Sequence, residues 1–214
     1  MGKGQMFLII AIVAVIALAL IKTSLSTYQI LEKKRYLEAG LERLEFQNAR
    51  EELLRTIEYS VYQKENITKS VEDFIKFARS YFKTKTIDLN GLAAELILPN
   101  VTAETNTSLN VTILNLLGIE IQNLNLTFSY DNSTRNFVAI RDGETVETSF
   151  IFNTSSNVNY SLSVYYLTSY ENRTENITVP VEIGKSKFVG LFDLRLKSDR
   201  AEQRDIFTET YVLT

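Results

Sequence analysis

Asparagine followed two positions later by serine or threonine, with no intervening proline, begins at Asn66, Asn100, Asn106, Asn110, Asn125, Asn132, Asn153, Asn159, Asn172 and Asn176. The carboxamide of such a triplet accepts N-linked glycan, a chemistry of exported, exposed chain. Sixteen Asn and 37 Ser plus Thr in 214 residues would yield about three triplets by chance, so ten is an excess. Other chemistry is scarce. The chain has no His and no Cys, which excludes a Ser-His-Asp triad, a Cys-His nucleophile, a thiolate zinc site and a disulfide framework. Carboxylates remain at Glu144 and Glu147, and at Asp199, Glu202 and Asp205. A pair of them could serve glycoside hydrolysis, but nothing around them suggests an apolar pocket that would raise one pKa. Asp131, Asn132 and Ser133 read as a turn rather than a Ca²⁺ loop. Tyr160, Tyr165, Tyr166 and Tyr170 could form a sugar-binding platform, although packing of strands explains them as well. No phosphate-binding loop or nucleophile elbow is present. The expectation is a protein that is not an enzyme, with no metal and no cofactor beyond N-linked glycans. A net charge of −3 argues against nucleic acid as a partner.

Several of these triplets sit on the polar positions of alternating segments. Leu124, Leu126 and Phe128 alternate with Asn125, Thr127 and Ser129, and Ile177, Val179 and Val181 with Thr178, Pro180 and Glu182. Period two predicts strands with one apolar face and one face suited to solvent or sugar. Between Ile87 and Thr134 there is no Lys or Arg, so amides and hydroxyls do the solvating. Strands are expected near 93–98, 108–116, 119–130, 136–141, 145–153, 157–168, 175–183, 187–196 and 206–213. Asp142-Gly143 reads as a hairpin turn. Such a set fits a β-sandwich.

The N-terminal part is different. Met6 to Ile21 carries no charge and no strong polar group. Sixteen residues of helix fall short of a hydrocarbon core of about 30 Å, but Lys22 can snorkel, so a helix continuing from Met6 past Ser26 could span it. The segment could be a secretory signal cut near Ala17-Leu18-Ala19, an uncleaved anchor, or a helix retained after a cut behind Gly4. Counting nearby positive charges puts the C-terminal part inside the cell, whereas the glycan acceptors put it outside. The acceptors are the stronger guide.

From Tyr28 to about Thr86 the chain has 12 basic and 10 acidic residues among 59. Ile30, Leu37, Leu41, Leu44, Leu54, Ile57 and Val61 recur at helical steps, predicting one helix continuous with the apolar run to about Gln63. Ser70-Val71-Glu72-Asp73 reads as a capping box opening a second helix to about Phe82, with Phe74, Phe77, Ala78 and Tyr81 as its apolar side.

In Lys3, Gly4 and Gln5, immediately ahead of the aliphatic run, the sequence resembles archaeal type IV pilins and related proteins with class III signal peptides. Ile9 stands where bacterial pilins carry a Glu. The resemblance implies a leader peptidase cutting between Gly4 and Gln5, a membrane-held precursor, and assembly of many copies through the N-terminal helices. The expected fold is α+β: a long N-terminal hydrophobic helix, a short second helix and an antiparallel β-sandwich head. The expected organisation is a leader and hydrophobic helix over 1–27, a charged helical stalk over 28–86 and the head over 87–214. The expected function is that of a cell-surface filament subunit. The alternative is a membrane-anchored glycosylated surface protein that binds a partner without polymerising.

Overall fold

The computed structural model describes residues 3–82, 87–99, 106–154, 159–168, 174–198 and 202–213. Two helices precede nine strands: α1 (Lys3–Gln63), α2 (Ile67–Phe82), β1 (Ile87–Ile97), β2 (Asn106–Leu116), β3 (Ile121–Phe128), β4 (Ser133–Ile140), β5 (Thr145–Asn153), β6 (Tyr160–Thr168), β7 (Thr174–Val181), β8 (Ser186–Lys197) and β9 (Glu202–Leu213). The strands form two antiparallel sheets, one ordered β5-β2-β1-β8-β9 and the other β4-β3-β6-β7.

The five-stranded sheet is the middle of three layers. One of its faces presents Leu92, Leu109, Val111, Phe150 and Leu191, which meet Leu124, Leu126, Phe128, Leu162 and Val164 of the four-stranded sheet. Its other face presents Ile87, Leu89, Leu114, Phe188 and Phe192, which meet Phe46, Leu53 and Ile57 of α1 and Val71, Ile75 and Phe82 of α2. β1 from Gly91 to Ala94 and β8 from Lys187 to Leu194 are therefore buried on both sides. Phe192 can lie flat on the helix-facing side because Gly190 and Gly91 leave the space. A Cβ on Gly190 would meet the Phe192 ring at 2.4 Å, and one on Gly91 at 2.7 Å.

The expected fold class is corrected by this arrangement. The chain is mostly β with two helices, and α1 from Phe46 onward together with α2 packs on the five-stranded sheet. The sandwich expectation fits in part, since a layer of helix covers one sheet. Nor is α1 the hydrophobic helix expected. Beyond Ile21 it carries Lys22, Thr23, Ser24, Ser26, Thr27 and Gln29 before the Glu32–Arg35 charges. Among the described residues no helix is long and apolar enough to cross a membrane.

Local differences have local causes. α2 begins one turn earlier than the Ser70 box, because Asn66 Oδ1 accepts the Lys69 N–H at 2.9 Å and caps the helix. Its buried side is Ile67, Val71, Ile75, Ala78 and Phe82, while Phe77 and Tyr81 are exposed and stack on each other. In α1, packing starts at Phe46 and Ala49, where the apolar spacing loses its register, and Ile30, Leu37, Leu41 and Leu44 are exposed. The helix ends as Lys64 turns to φ 56° and the Glu65 N–H reaches Ser60 O at 3.0 Å. β1 begins at Ile87, well before 93, and β9 at Glu202, before 206. Asp142-Gly143 does make a tight turn, with Gly143 at φ 78° and the Glu144 N–H on Arg141 O at 3.0 Å. It is not a hairpin, however, since β4 and β5 belong to different sheets. Buried Asn115 holds this corner, its Nδ2 donating to Ile119 O at 2.9 Å and to Ile140 O at 3.0 Å.

Candidate functional site

Asn106, Asn110 and Asn153 lie on the helix-facing side of the five-stranded sheet, on β5 and on the first half of β2, away from Leu114 and Leu116, which pack against the helices. In register, Asn106 opposes Asn153, Ser108 opposes Ile151, and Asn110 opposes both Ser149 and Ile97. All three acceptors are exposed. Between them lie Ile151, 75% exposed, and Ile97, 44% exposed. A glycan on any of the three would shield these side chains, which alternation places outward on an otherwise polar surface.

A second group occupies the outer face of the four-stranded sheet. Strand pairing aligns Asn136, Asn125, Tyr165 and Asn176 in one row across β4, β3, β6 and β7. The neighbouring row is Thr134, Thr127, Ser163 and Thr178, four hydroxyls side by side. Thr127 Oγ1 lies 3.1 Å from Thr134 Oγ1, and Ser163 Oγ lies 3.4 Å from Thr178 Oγ1. The acceptor asparagines and the hydroxyls of their own triplets thus fall in adjacent rows, because triplet spacing equals the strand repeat. Asn176 is exposed, whereas Asn125 is half-buried and its Oδ1 has no partner among the described residues. Single segments show the alternation; the rows appear only once strand order is known.

The remaining described acceptors are at corners. Asn66 caps α2 and is exposed. Asn132 sits at φ 54° beside Asp131, whose Oδ1 accepts the Ser133 N–H at 2.9 Å. Hydrogen bonds from Ser133 hold the Asp131 carboxyl below the usual range, as an Asx turn does. Asn159 precedes β6 and is exposed. Asn100 and Asn172 lie outside the described residues.

Lys3, Gly4 and Gln5 form the start of α1. Further along, Val15, Leu18, Leu20, Leu25, Tyr28, Ile30, Leu31, Tyr36, Leu37 and Leu41 are all exposed, Val15 to 66%. Helix packing on the sheet starts only at Phe46, so about thirty residues of helix, from Val15 to Leu44, carry apolar side chains that the described part of this chain does not cover.

The carboxylate sets are not brought together. Glu144 accepts the Arg141 N–H at 2.9 Å, and Glu147 points outward from β5 opposite Thr112. Glu202 and Asp205 fall on opposite faces of β9, with Asp205 held by Arg50 at 3.0 Å, and Asp199 lies outside the described residues. Among the described residues no group of three His, Cys, Asp or Glu could hold a metal ion. The tyrosines are divided too. Tyr160 and Tyr166 are buried between the sheets and Tyr165 is on the outer face, so the described ones make no common platform; Tyr170 lies outside the described residues. Comparison with protein-family models, curated proteins and solved structures returns no match.

Proposed function

We propose that this chain is the structural subunit of an extracellular, pilus-like filament that serves surface attachment. In this reading a leader peptidase cuts between Gly4 and Gln5, the helices of many copies bundle, and the β layers carry N-linked glycan outward. The observation that supports it most is α1 between Val15 and Leu44. Its apolar side chains surround the helix and find no cover within the described chain. In water such a surface drives association at about 25 cal/mol per Å² of apolar area covered. Copies of the same helix are the simplest cover, since a filament repeats one contact and needs no other partner. Exposure of seven described acceptors on the β-rich part and the α2 cap supports the glycan half of the reading.

The test is mass spectrometry of the native protein combined with electron microscopy of the isolated material. A mature chain starting at Gln5, with glycan mass on the asparagines and helical filaments in the images, is the expected result. An intact Met1, a start near Leu20, or isolated particles with no filaments would overturn it.

A further inference from the structure

We infer that the outer edge of β9 is an interface between copies of this chain, on which β9 of a second copy pairs antiparallel. The two sheets have four edges, formed by β5 and β9 in one and by β4 and β7 in the other. A strand edge presents unpaired N–H and C=O groups that only another extended backbone satisfies row by row, and folded proteins normally blunt such edges. Three of the four are blunted here. β5 ends in the acceptor Asn153, and β4 follows the acceptor Asn132 and bends at Ala139, φ 55°. β7 carries both the acceptor Asn176 and Pro180, which has no N–H to donate. β9 has neither, and with 12 residues it matches β8 as the longest strand.

Its composition points the same way. Ile206 to Leu213 reads IFTETYVL, β-branched and aromatic residues with one charge, no Pro, no Gly and no Lys. All ten acceptors lie between Asn66 and Asn176, so no glycan falls on β9, on β8 or on α1. On the side away from the helices Ile206, Thr208, Thr210 and Val212 are exposed, and Ile206 is 44% so. Among the described residues no strand pairs with the far side of β9.

Charge narrows the register. About a twofold axis at Thr210, Phe207 opposes Leu213, Thr208 opposes Val212 and Glu209 opposes Tyr211, while Arg204 and Asp205 lie beyond the paired stretch. An axis at Phe207 would set Asp205 against Glu209, and an axis at Glu209 would set that carboxylate against itself. Like charges directly opposite destabilise a pair. Axes at Thr208 and at Thr210 avoid both while engaging Tyr211 to Leu213, and each places its threonine against its own copy.

The glycan part of this argument rests on the reading given above; the edge and register parts do not. The chain contains no Cys, so a single introduced thiol reports one contact. Opposed Cα atoms in an antiparallel pair are about 4.5–5.5 Å apart, within disulfide reach. Of full-length Thr208→Cys and Thr210→Cys, oxidised and run without reductant, one is expected to give severalfold more covalent dimer than Ser149→Cys on the β5 edge. Dimer from neither threonine position, or no more than from Ser149→Cys, would overturn the β9 interface. Electron microscopy of the same samples separates the two ideas. Filaments without a dimer from either threonine position sink the interface alone, and the dimer without filaments sinks the filament reading alone.

Discussion

Arg79 on α2 donates from Nη1 to Asp142 Oδ2 at 2.8 Å, across 63 positions of chain. The same guanidinium donates to Leu89 O at 3.2 Å, to Asn90 Oδ1 at 3.0 Å and to Leu116 O. The other oxygen of Asp142 accepts the Gly118 N–H at 2.8 Å. One side chain therefore ties the helix layer to β1, to the end of β2 and to the corner where the chain passes between sheets. The fork of donors is fixed in a plane, which a lysine cannot reproduce.

Arg79→Ala should lower stability by about 1–3 kcal/mol, because partly buried carbonyls lose a charged donor. Asp142→Asn should cost under about 1 kcal/mol, since both ends of that pair are partly open to water, Arg79 at 26% and Asp142 at 36%. Arg79→Lys should resemble Arg79→Ala. Urea denaturation of the three variants checks the order, and equal losses for Arg79→Ala and Asp142→Asn would contradict it.

Glycine to alanine should act with opposite sign at two positions. At Gly190 the added methyl meets the Phe192 ring at 2.4 Å, and the ring is held from below by the sheet and from above by α1 and α2. Overpacking there should cost about 1–3 kcal/mol. At Gly40, in exposed α1, nothing lies within 4 Å of the new Cβ. Helix propensity should then favour the variant by about 1 kcal/mol locally. Thermal unfolding reads the first, and amide exchange along α1 reads the second.

Legibility followed the reach of each signal. Alternation in β3, β6 and β7 is local, so those strands and their inner faces could be read from Leu124, Leu162 and Val179. The extent of α1 to Gln63 was legible for the same reason. The stripe on α1 was not, since Leu37 and Leu41 repeat at helical steps yet none of the described residues lies beneath them. The middle parts of β1 and β8 are buried on both faces and show no period that distinguishes sheet from helix contacts. Asp142-Gly143 has the composition of a hairpin, and only the partition of β4 and β5 between sheets makes it a corner. The acceptors were legible one by one, while their rows required strand order.

Acid should weaken the protein through Glu182. Hydrogen bonds from Lys185 and Lys187 and their charges draw its carboxyl down from 4.5 to about 2. Lys187 Nζ also donates to Pro180 O at 2.8 Å, and the Lys187 side chain is only 5% exposed. A group whose pKa is lower in the folded state stabilises above its unfolded pKa and loses that contribution as pH falls through the folded value. The loss should therefore develop between pH 4.5 and about 2. Urea midpoints taken across that interval should fall less steeply for Glu182→Gln than for the wild type; identical slopes would exclude Glu182 as the cause.

The two halves of α1 should respond to mutation in opposite ways. Leu37 is 70% exposed and Leu41 61%, both ahead of the point where the helix meets the sheet, while Leu53 is fully buried. Leu53→Ala removes core atoms and should cost about 2–5 kcal/mol. Leu37→Glu with Leu41→Glu removes nothing from the fold, so the unfolding midpoint should move by less than the equivalent of about 0.5 kcal/mol. If copies bundle through this helix, the same double variant places two carboxylates in a dry contact against identical carboxylates from neighbouring copies. Neither is compensated there, and assembly should fail even though each subunit is fully folded. Circular dichroism melts and electron microscopy on one preparation read both consequences. Filaments of normal abundance from the double variant would show that this stretch of α1 is not where copies meet.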